Sequence, residues 1–372
     1  MSLSPSLPAS LRRITSLYGV ALAVGMAAAA CGSVGVEAPG SSSAGSGGVI
    51  NGGEGGSTGI TTITTTTTSS TGGGGQGGSV GYGPPYPIVF AHGFFGFEEF
   101  AGLDFETYFF GVKEHLATQG EIVLTPAVDP FNDSDLRGAQ LLKHVEDFLA
   151  ATGAAKVNII GHSQGGLDAR VVANLRPDLV ASVITVATPH NGTPVADVAM
   201  KVLGDPTAQQ IIDALVQLIG GALYDTVGNK TSLTKALDLF SQPGIEAFNA
   251  KHPDEPSVFY ASMAGRSALH PMGNACEADL VLPFIQPWES EQDPLNVVFG
   301  ATALLLAGGN NHIHDGLVRA VDARRGEFWG CIPADHMDEV GQILGQSPGL
   351  GNDWDHRDFY SALVGYLRER GY

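Results

Sequence analysis

Basic residues are scarce: 19 Lys+Arg stand against 38 Asp+Glu in 372 residues, a formal net charge of -19. A chain without a basic stripe has nothing to neutralise phosphates with, which excludes nucleic acid as a partner. Cysteine is rare as well, 3 in all, which excludes a small disulfide-dense scaffold. Long apolar runs are missing too. The longest at the N-terminus, Leu17 to Ala30, falls short of the ~20 residues of a membrane span. Charged residues make up only 15% and hydrophobic ones 43%, so a sizeable core is within reach.

Glycine is what the chain has in excess, 51 residues, and much of it sits in one place. Of the 40 residues between 41 and 80, 31 are Gly, Ser or Thr. Such a stretch buries too little apolar area to offset the entropy of ordering it, so residues 32–83 read as a disordered linker. About 290 residues remain, and 84–372 read as one large α/β domain.

The first 31 residues have the layout of a secretory signal peptide: Arg12 and Arg13, the apolar stretch, then small residues. Cys31 follows Ala28-Ala29-Ala30 directly, which resembles the lipobox of bacterial lipoproteins, with Ala28 where such boxes usually carry Leu or Val. The expectation is a lipidated Cys31 tethering the protein to a membrane. The alternative is an ordinary cut near Ala30 with Cys31 incidental. Either way the mature protein is exported, secreted or held at the outer surface. Cys276 and Cys331 then remain as an even pair in an oxidising compartment, and are expected to form a disulfide.

Short apolar runs recur with helical patterns between them: Ile88 to Ala91, Ile122 to Leu124, Val157 to Ile160, Ser182 to Val186 and Val258 to Ala261. Continuous rather than alternating apolar runs are how strands covered on both faces of a parallel sheet read. Leu136 to Ala151 carries a helical stripe ending before Gly153. This alternation implies an α/β fold, a mostly parallel sheet flanked by helices. Residues 195–250 break it with helical sequence around Ile211 to Ile219 and from Leu233 to Phe240. The expectation there is a mobile helical cap; the alternative is an outer packing layer.

After the strand ending at Ile160 comes Gly161-His162-Ser163-Gln164-Gly165-Gly166. This is the Gly-x-Ser-x-Gly nucleophile elbow, a sharp strand-to-helix turn that presents a serine hydroxyl at the carboxyl edge of a sheet. The serine needs a base to take its proton and a carboxylate to orient that base. In this class of fold the chain order is Ser, Asp or Glu, then His. His162 adjoins the serine and should point away. His336 is the candidate base, with His356 the runner-up. Asp315, expected at a strand end after the apolar run Val297 to Leu306, is the candidate acid, with Asp322 and Asp279 as alternatives. The oxyanion needs two backbone N–H donors, and Gln164 and Phe94, in the loop His92-Gly93-Phe94-Phe95-Gly96, are the candidates.

From Pro87 to about Gly345 the chain resembles the Pseudomonas-type bacterial triacylglycerol lipases, the calcium-containing, extracellular and often foldase-dependent kind. The matching residues are Tyr86-Pro87-Ile88-Val89 through His92-Gly93, Arg137-Gly138-Ala139-Gln140-Leu141, Val157 to Gly166, Ala187 to Gly192, and the block His314 to Gly345. The resemblance implies an α/β-hydrolase fold and places the base on His336 and the acid on Asp315. It also implies a structural Ca2+ with ligands at Asp293, Asp338, Gln342 and near Gln346, holding the loop that bears His336. Asp338 and Gln342, four apart, would share one helical face. The family's own cysteine pair does not map onto this chain, and the segment 265–292 differs.

The expected function is therefore hydrolysis of acylglycerol esters at an oil–water interface through an acyl-enzyme on Ser163. An esterase acting on short soluble esters, phospholipids or polyesters is the rival among enzymes. A surface binding protein on a hydrolase scaffold is the rival from another class.

Overall fold

A computed structural model describes residues 83–372, apart from 95–107, 204–231, 269, 271–272, 281, 296–298, 309–310, 343–344, 346–347 and 350. Cys31, Gln346 and the expected helix around Ile211 to Ile219 lie outside the described residues. Six described strands form one parallel sheet: β1 (Ile88–Ala91), β2 (Val123–Leu124), β3 (Val157–His162), β4 (Val180–Val186), β5 (Phe259–Gly265) and β6 (Glu327–Ile332). Their order is β2-β1-β3-β4-β5-β6, so β1 and β3 lie side by side and parallel, with their carboxyl ends at the same edge.

The helices that connect and cover the strands are α1 (Val112–Thr118), α2 (Ser134–Thr152), α3 (Gln164–Leu175), α4 (Pro194–Leu203), α5 (Leu233–Phe240), α6 (Gln242–Lys251), α7 (Gly300–Ala307) and α8 (His356–Glu369). Alternate residues of the strands feed the two faces. Ile88, Phe90, Ile160, Ile184 and Val186 pack against Val112 and Leu116 of α1 and Leu363 and Leu367 of α8. Val89, Ala91, Val157, Ile159 and Val183 pack against Leu141, Val145 and Val172 on the other face. Burying each such side chain stabilises the fold by about 1.5–3 kcal/mol, which explains why the strands read as unbroken apolar runs. α2 starts where Asp133 Oδ1 accepts the Leu136 N–H at 3.0 Å, and ends at Gly153, whose φ of +73° closes the helix.

Three sequence expectations change here. Of the run Val297 to Leu306, the described part from Gly300 onward is the helix α7 (Gly300–Ala307) and not a strand, its three consecutive leucines giving no helical period to read. The helix expected after His336 is a single 3-10 turn, Asp338–Val340, closed by Gly341 at φ +62°, so Asp338 and Gln342 do not share an α-helical face. β6 went unnoticed because Glu327-Phe328-Trp329-Gly330-Cys331-Ile332 mixes charge, glycine and cysteine. Within 195–250, α4, α5 and α6 pack through Ala196, Ala236, Leu239, Phe240, Ile245 and Phe248 onto Leu167 and Val171 of α3. The flanks of that segment are a packing layer.

Candidate active site

Ser163 sits between β3 and α3 with φ +54° and ψ -130°, a conformation that costs a non-glycine residue about 1–3 kcal/mol. The surroundings over-determine it. Ser163 N–H donates to Val186 O at 3.0 Å, and the Thr188 hydroxyl donates to Ser163 O at 2.7 Å. The flanking glycines are steric necessities: a Cβ on Gly161 would fall 2.5 Å from Gly166 N, and one on Gly165 would fall 2.0 Å from Ala91 O.

Asp315 and His336 come together in the interior. His336 Nδ1–H donates to Asp315 Oδ2 at 2.8 Å, and His336 N–H donates to Asp315 O at 2.9 Å. Asp315 Oδ1 accepts the N–H groups of Leu317 at 2.8 Å and Val318 at 2.6 Å, so both carboxylate oxygens are held. This leaves the lone pair of His336 on Nε2. Although Asp315 does not follow a strand in sequence, it abuts the end of β5: a Cβ on Gly265 would lie 2.6 Å from Asp315 Cβ. The alternatives are engaged elsewhere. His356 Nε2–H donates to Phe110 O, Asp322 pairs with Arg319, and Asp279 accepts the Phe328 N–H.

His162 is buried and packs its ring against that of His336, centroids 4.6 Å apart. It thereby couples the strand bearing Ser163 to the loop bearing His336. Its ring nitrogens are both used, Nδ1 with Tyr108 Oη at 2.8 Å and Nε2 with Glu339 Oε2 at 2.7 Å. Burial raises the Glu339 carboxyl well above its ordinary range and lowers His162 well below its own. The pair is held as a neutral acid donating to a neutral imidazole.

The turn after β1 is held by Arg137, fully buried, whose guanidinium donates to His92 O at 2.6 Å, Gly93 O at 3.2 Å and Asp129 O at 2.7 Å. Its Nε pairs with Asp168 at 2.8 Å. Burial outweighs that partner and pushes Asp168 up to about 6, while burial and then Arg137 push His92 down to about 3. His92 is thus neutral, its Nε2 accepting the Val128 N–H at 3.0 Å. Gly93 lies directly against the serine, since a Cβ there would be 2.6 Å from Ser163 Cβ. Phe94 follows it, its ring packed on Phe131 and Phe240. The Gln164 side chain turns away, Nε2 donating to Asn132 O at 2.7 Å.

Beside this site Asp293, Asp335 and Asp338 bring carboxylate oxygens within 4.8 Å of one another. Asp293 Oδ2 is buried without a partner. Burial, then the neighbouring carboxylates, push Asp293 up to about 7 and Asp338 upward as well. Three buried oxygen ligands facing one another suit a hard divalent cation. Asp335 was not among the expected ligands; its Oδ1 also accepts the N–H groups of Met337 and Asp338, at 3.0 and 3.1 Å. Gln342 follows in the same turn, its N–H donating to Met337 O. A second group, His162, His336 and Glu339, is equally close but already joined by its own hydrogen bond. Cys276 and Cys331 form a disulfide with Cα atoms 5.1 Å apart, stapling β6 just before the His336 loop.

An alpha/beta hydrolase fold model matches residues 86–214. A triacylglycerol lipase of Vibrio cholerae is 34% identical over 278 residues, covering 70% of this chain and 81% of the relative. The chain belongs to the bacterial triacylglycerol lipase family. A triacylglycerol lipase of Burkholderia plantarii is 32% identical over 290 residues, covering 70% of this chain and 80% of its own length. Among solved structures, the Staphylococcus hyicus lipase matches with a TM-score of 0.51 and 18% identity, over 76% of this chain and 95% of that one. That likeness extends the shared fold beyond the reach of sequence. Within this family framework the elbow, the Asp315–His336 pair and the Arg137-held turn occupy one edge of the sheet.

Proposed function

We propose that this chain hydrolyses acylglycerol esters through an acyl-enzyme on Ser163, with His336 as base and then acid and Asp315 as its orienting group. One observation carries the reading: the buried Asp315–His336 hydrogen bond occupies Nδ1 and leaves Nε2 to act as base, while the His336 ring packs on His162, the residue before the strained Ser163. Ser163 Oγ attacks the ester carbonyl carbon while its proton passes to His336 Nε2. The N–H groups of Phe94 and Gln164 receive the oxyanion. Collapse breaks the bond to the alcohol, which leaves with the proton from Nε2. Water then attacks the acyl carbonyl, gives its proton to Nε2, and the fatty acid departs as Ser163 recovers its hydrogen.

Asp293 and Asp338, joined by Asp335, would hold a calcium ion, while Gln346, expected from the resemblance, lies outside the described residues. Such an ion would supply no chemistry of its own; with it bound, the three carboxylates would be neutralised and the turn carrying His336 held in place. Export follows from the signal-peptide layout of residues 1–31, and surface tethering from a lipidated Cys31.

The test measures hydrolysis rate against concentration of a long-chain triacylglycerol through its solubility limit, with Ser163→Ala as the blank. The reading expects a rise in rate as emulsion forms and at least about a 10³-fold loss in the variant. A smooth saturable curve restricted to short soluble esters would favour the esterase instead, and full activity in Ser163→Ala would refute the nucleophile.

A further inference from the structure

β5 ends at Gly265 and the chain continues with Arg266, inside the segment 265–292 where the sequence departs from the family it resembles. Arg266 is 1% exposed. Its guanidinium donates to three backbone carbonyls, Nη1 to His270 O at 2.8 Å and Nη2 to Trp288 O at 3.4 Å and Glu289 O at 3.3 Å. None of these bonds goes to a carboxylate, and the buried Nε finds no partner among the described residues. A buried guanidinium keeps its charge, so a carboxylate field nearby must offset its desolvation.

That field comes from the acidic turn beside it. Arg266 N–H donates to Ile332 O at 2.9 Å, at the end of β6 and just ahead of Asp335. Trp288 and Glu289, whose carbonyls hold the guanidinium, lead into Asp293. Asn352 Nδ2 closes the junction, donating to Gln292 O at 3.2 Å and Pro333 O at 2.8 Å. Arg266 thus stands where the segments bearing Asp293 and Asp335 meet. Burial lowers its guanidinium and Asp293 is the foremost carboxylate raising it. Burial and then Asp335 raise the Asp293 carboxyl, and Arg266 draws it back.

The resemblance implies two ligand carboxylates, Asp293 and Asp338, whose joint charge a divalent cation cancels. The structure adds a third, Asp335. We propose that Arg266 is the internal counter-cation of this site, offsetting the third carboxylate so that the site still matches a divalent ion. The inference rests on the calcium reading and deepens it. Because the guanidinium is anchored on carbonyls instead of on ligand oxygens, it supplies charge without competing with the ion. Without the ion it also lessens repulsion among the three carboxylates, which helps to hold the turn that carries His336.

The experiment uses the full chain stripped with chelator, and measures calcium binding by calorimetry and melting temperature at pH 8 in chelator or saturating calcium. Arg266→Gln is expected to bind calcium more tightly, by about tenfold or more, because a nearby positive charge is gone. Its preference for terbium(III) over calcium should rise as well, since a trivalent ion gains more from the added negative charge. Its melting temperature should drop further in chelator than in calcium. Arg266→Lys should bind calcium as the unaltered chain does, and Asp335→Asn in the Arg266→Gln background should reverse the terbium preference. A residue that only braces carbonyls behaves otherwise. Arg266→Gln would then lose the same stability in chelator and in calcium, with affinity unchanged or weaker, and that result would overturn the proposal. If Arg266→Gln does not fold, rescue by Asp335→Asn is expected, and failure of the rescue overturns the proposal too. Absence of calcium binding in the unaltered chain would instead sink the calcium reading, and with it the role of Arg266.

Discussion

At the scale of single residues, the buried arginine is the part of the site most exposed to damage. Arg137 and Asp168 are both fully buried, and the guanidinium also binds three backbone carbonyls. Arg137→Met should cost about 3–5 kcal/mol by leaving the Asp168 carboxyl unpaired. The double variant Arg137→Met/Asp168→Leu should recover much of that stability in denaturant titration yet little activity, because the turn carrying Phe94 has lost its anchor. Equal loss in single and double variants would contradict the pairing. Gly165→Ala should destabilise by several kcal/mol, since its Cβ would meet Ala91 O at 2.0 Å. The glycines, Ser163 and the His-Gly pair were legible in sequence because the motif encodes backbone geometry locally. His162, Glu339 and Tyr108 were not: the hydrogen bond between His162 and Glu339 spans 177 positions.

At the scale of elements, the His336 loop is secured by a disulfide on one side and an acidic turn on the other. Cys276 and Cys331 are 55 residues apart, and opening a loop of that length costs about 4 kcal/mol in the chain-entropy model. Cys276→Ser/Cys331→Ser should show that loss in guanidinium unfolding, while a protein indifferent to the change would have no such brace. The acidic turn makes a pH prediction with a definite sign. Asp293 titrates at about 7 in the fold against an ordinary 3.8, and Asp338 is raised too. The folded chain thus holds protons that the unfolded chain releases. The stability this confers is whole below about pH 4 and is lost as pH rises through 7. In chelator the melting temperature should fall between pH 5 and pH 8; saturating calcium should raise it and flatten the slope. Identical curves with and without calcium would argue against the cation. The strands of this region were hard to read for a related reason. β6 lies at the end of the described sheet and interrupts its buried aromatics with Glu327, Gly330 and the disulfide-forming Cys331, while α7, with three consecutive leucines, shows no helical period.

At the scale of the whole molecule, the described hydrophobic core runs from Ile88 to Leu367. A chain beginning at Gly83 should therefore keep its melting temperature and its hydrolysis of soluble esters; a drop of more than a few degrees would give the first 82 residues a structural part. No helix among the described residues is long and apolar enough to cross a membrane.

The amino-acid sequence alone determined the parallel α/β architecture, the elbow at Ser163, and the choice of Asp315 and His336 once the family resemblance was drawn. Those features rest on short-range rules: strand burial, turn sterics and motif spacing. Tertiary structure alone decided that Asp315 is reached through a helix, that His162 and Glu339 buttress the His336 ring, that Asp335 joins Asp293 and Asp338, and that α7 turns two leucines outward. The pairings among them join residues far apart in the chain, Asp293 to Asp335 and His162 to Glu339, the latter across 177 positions, and such contacts leave no periodic trace in the sequence.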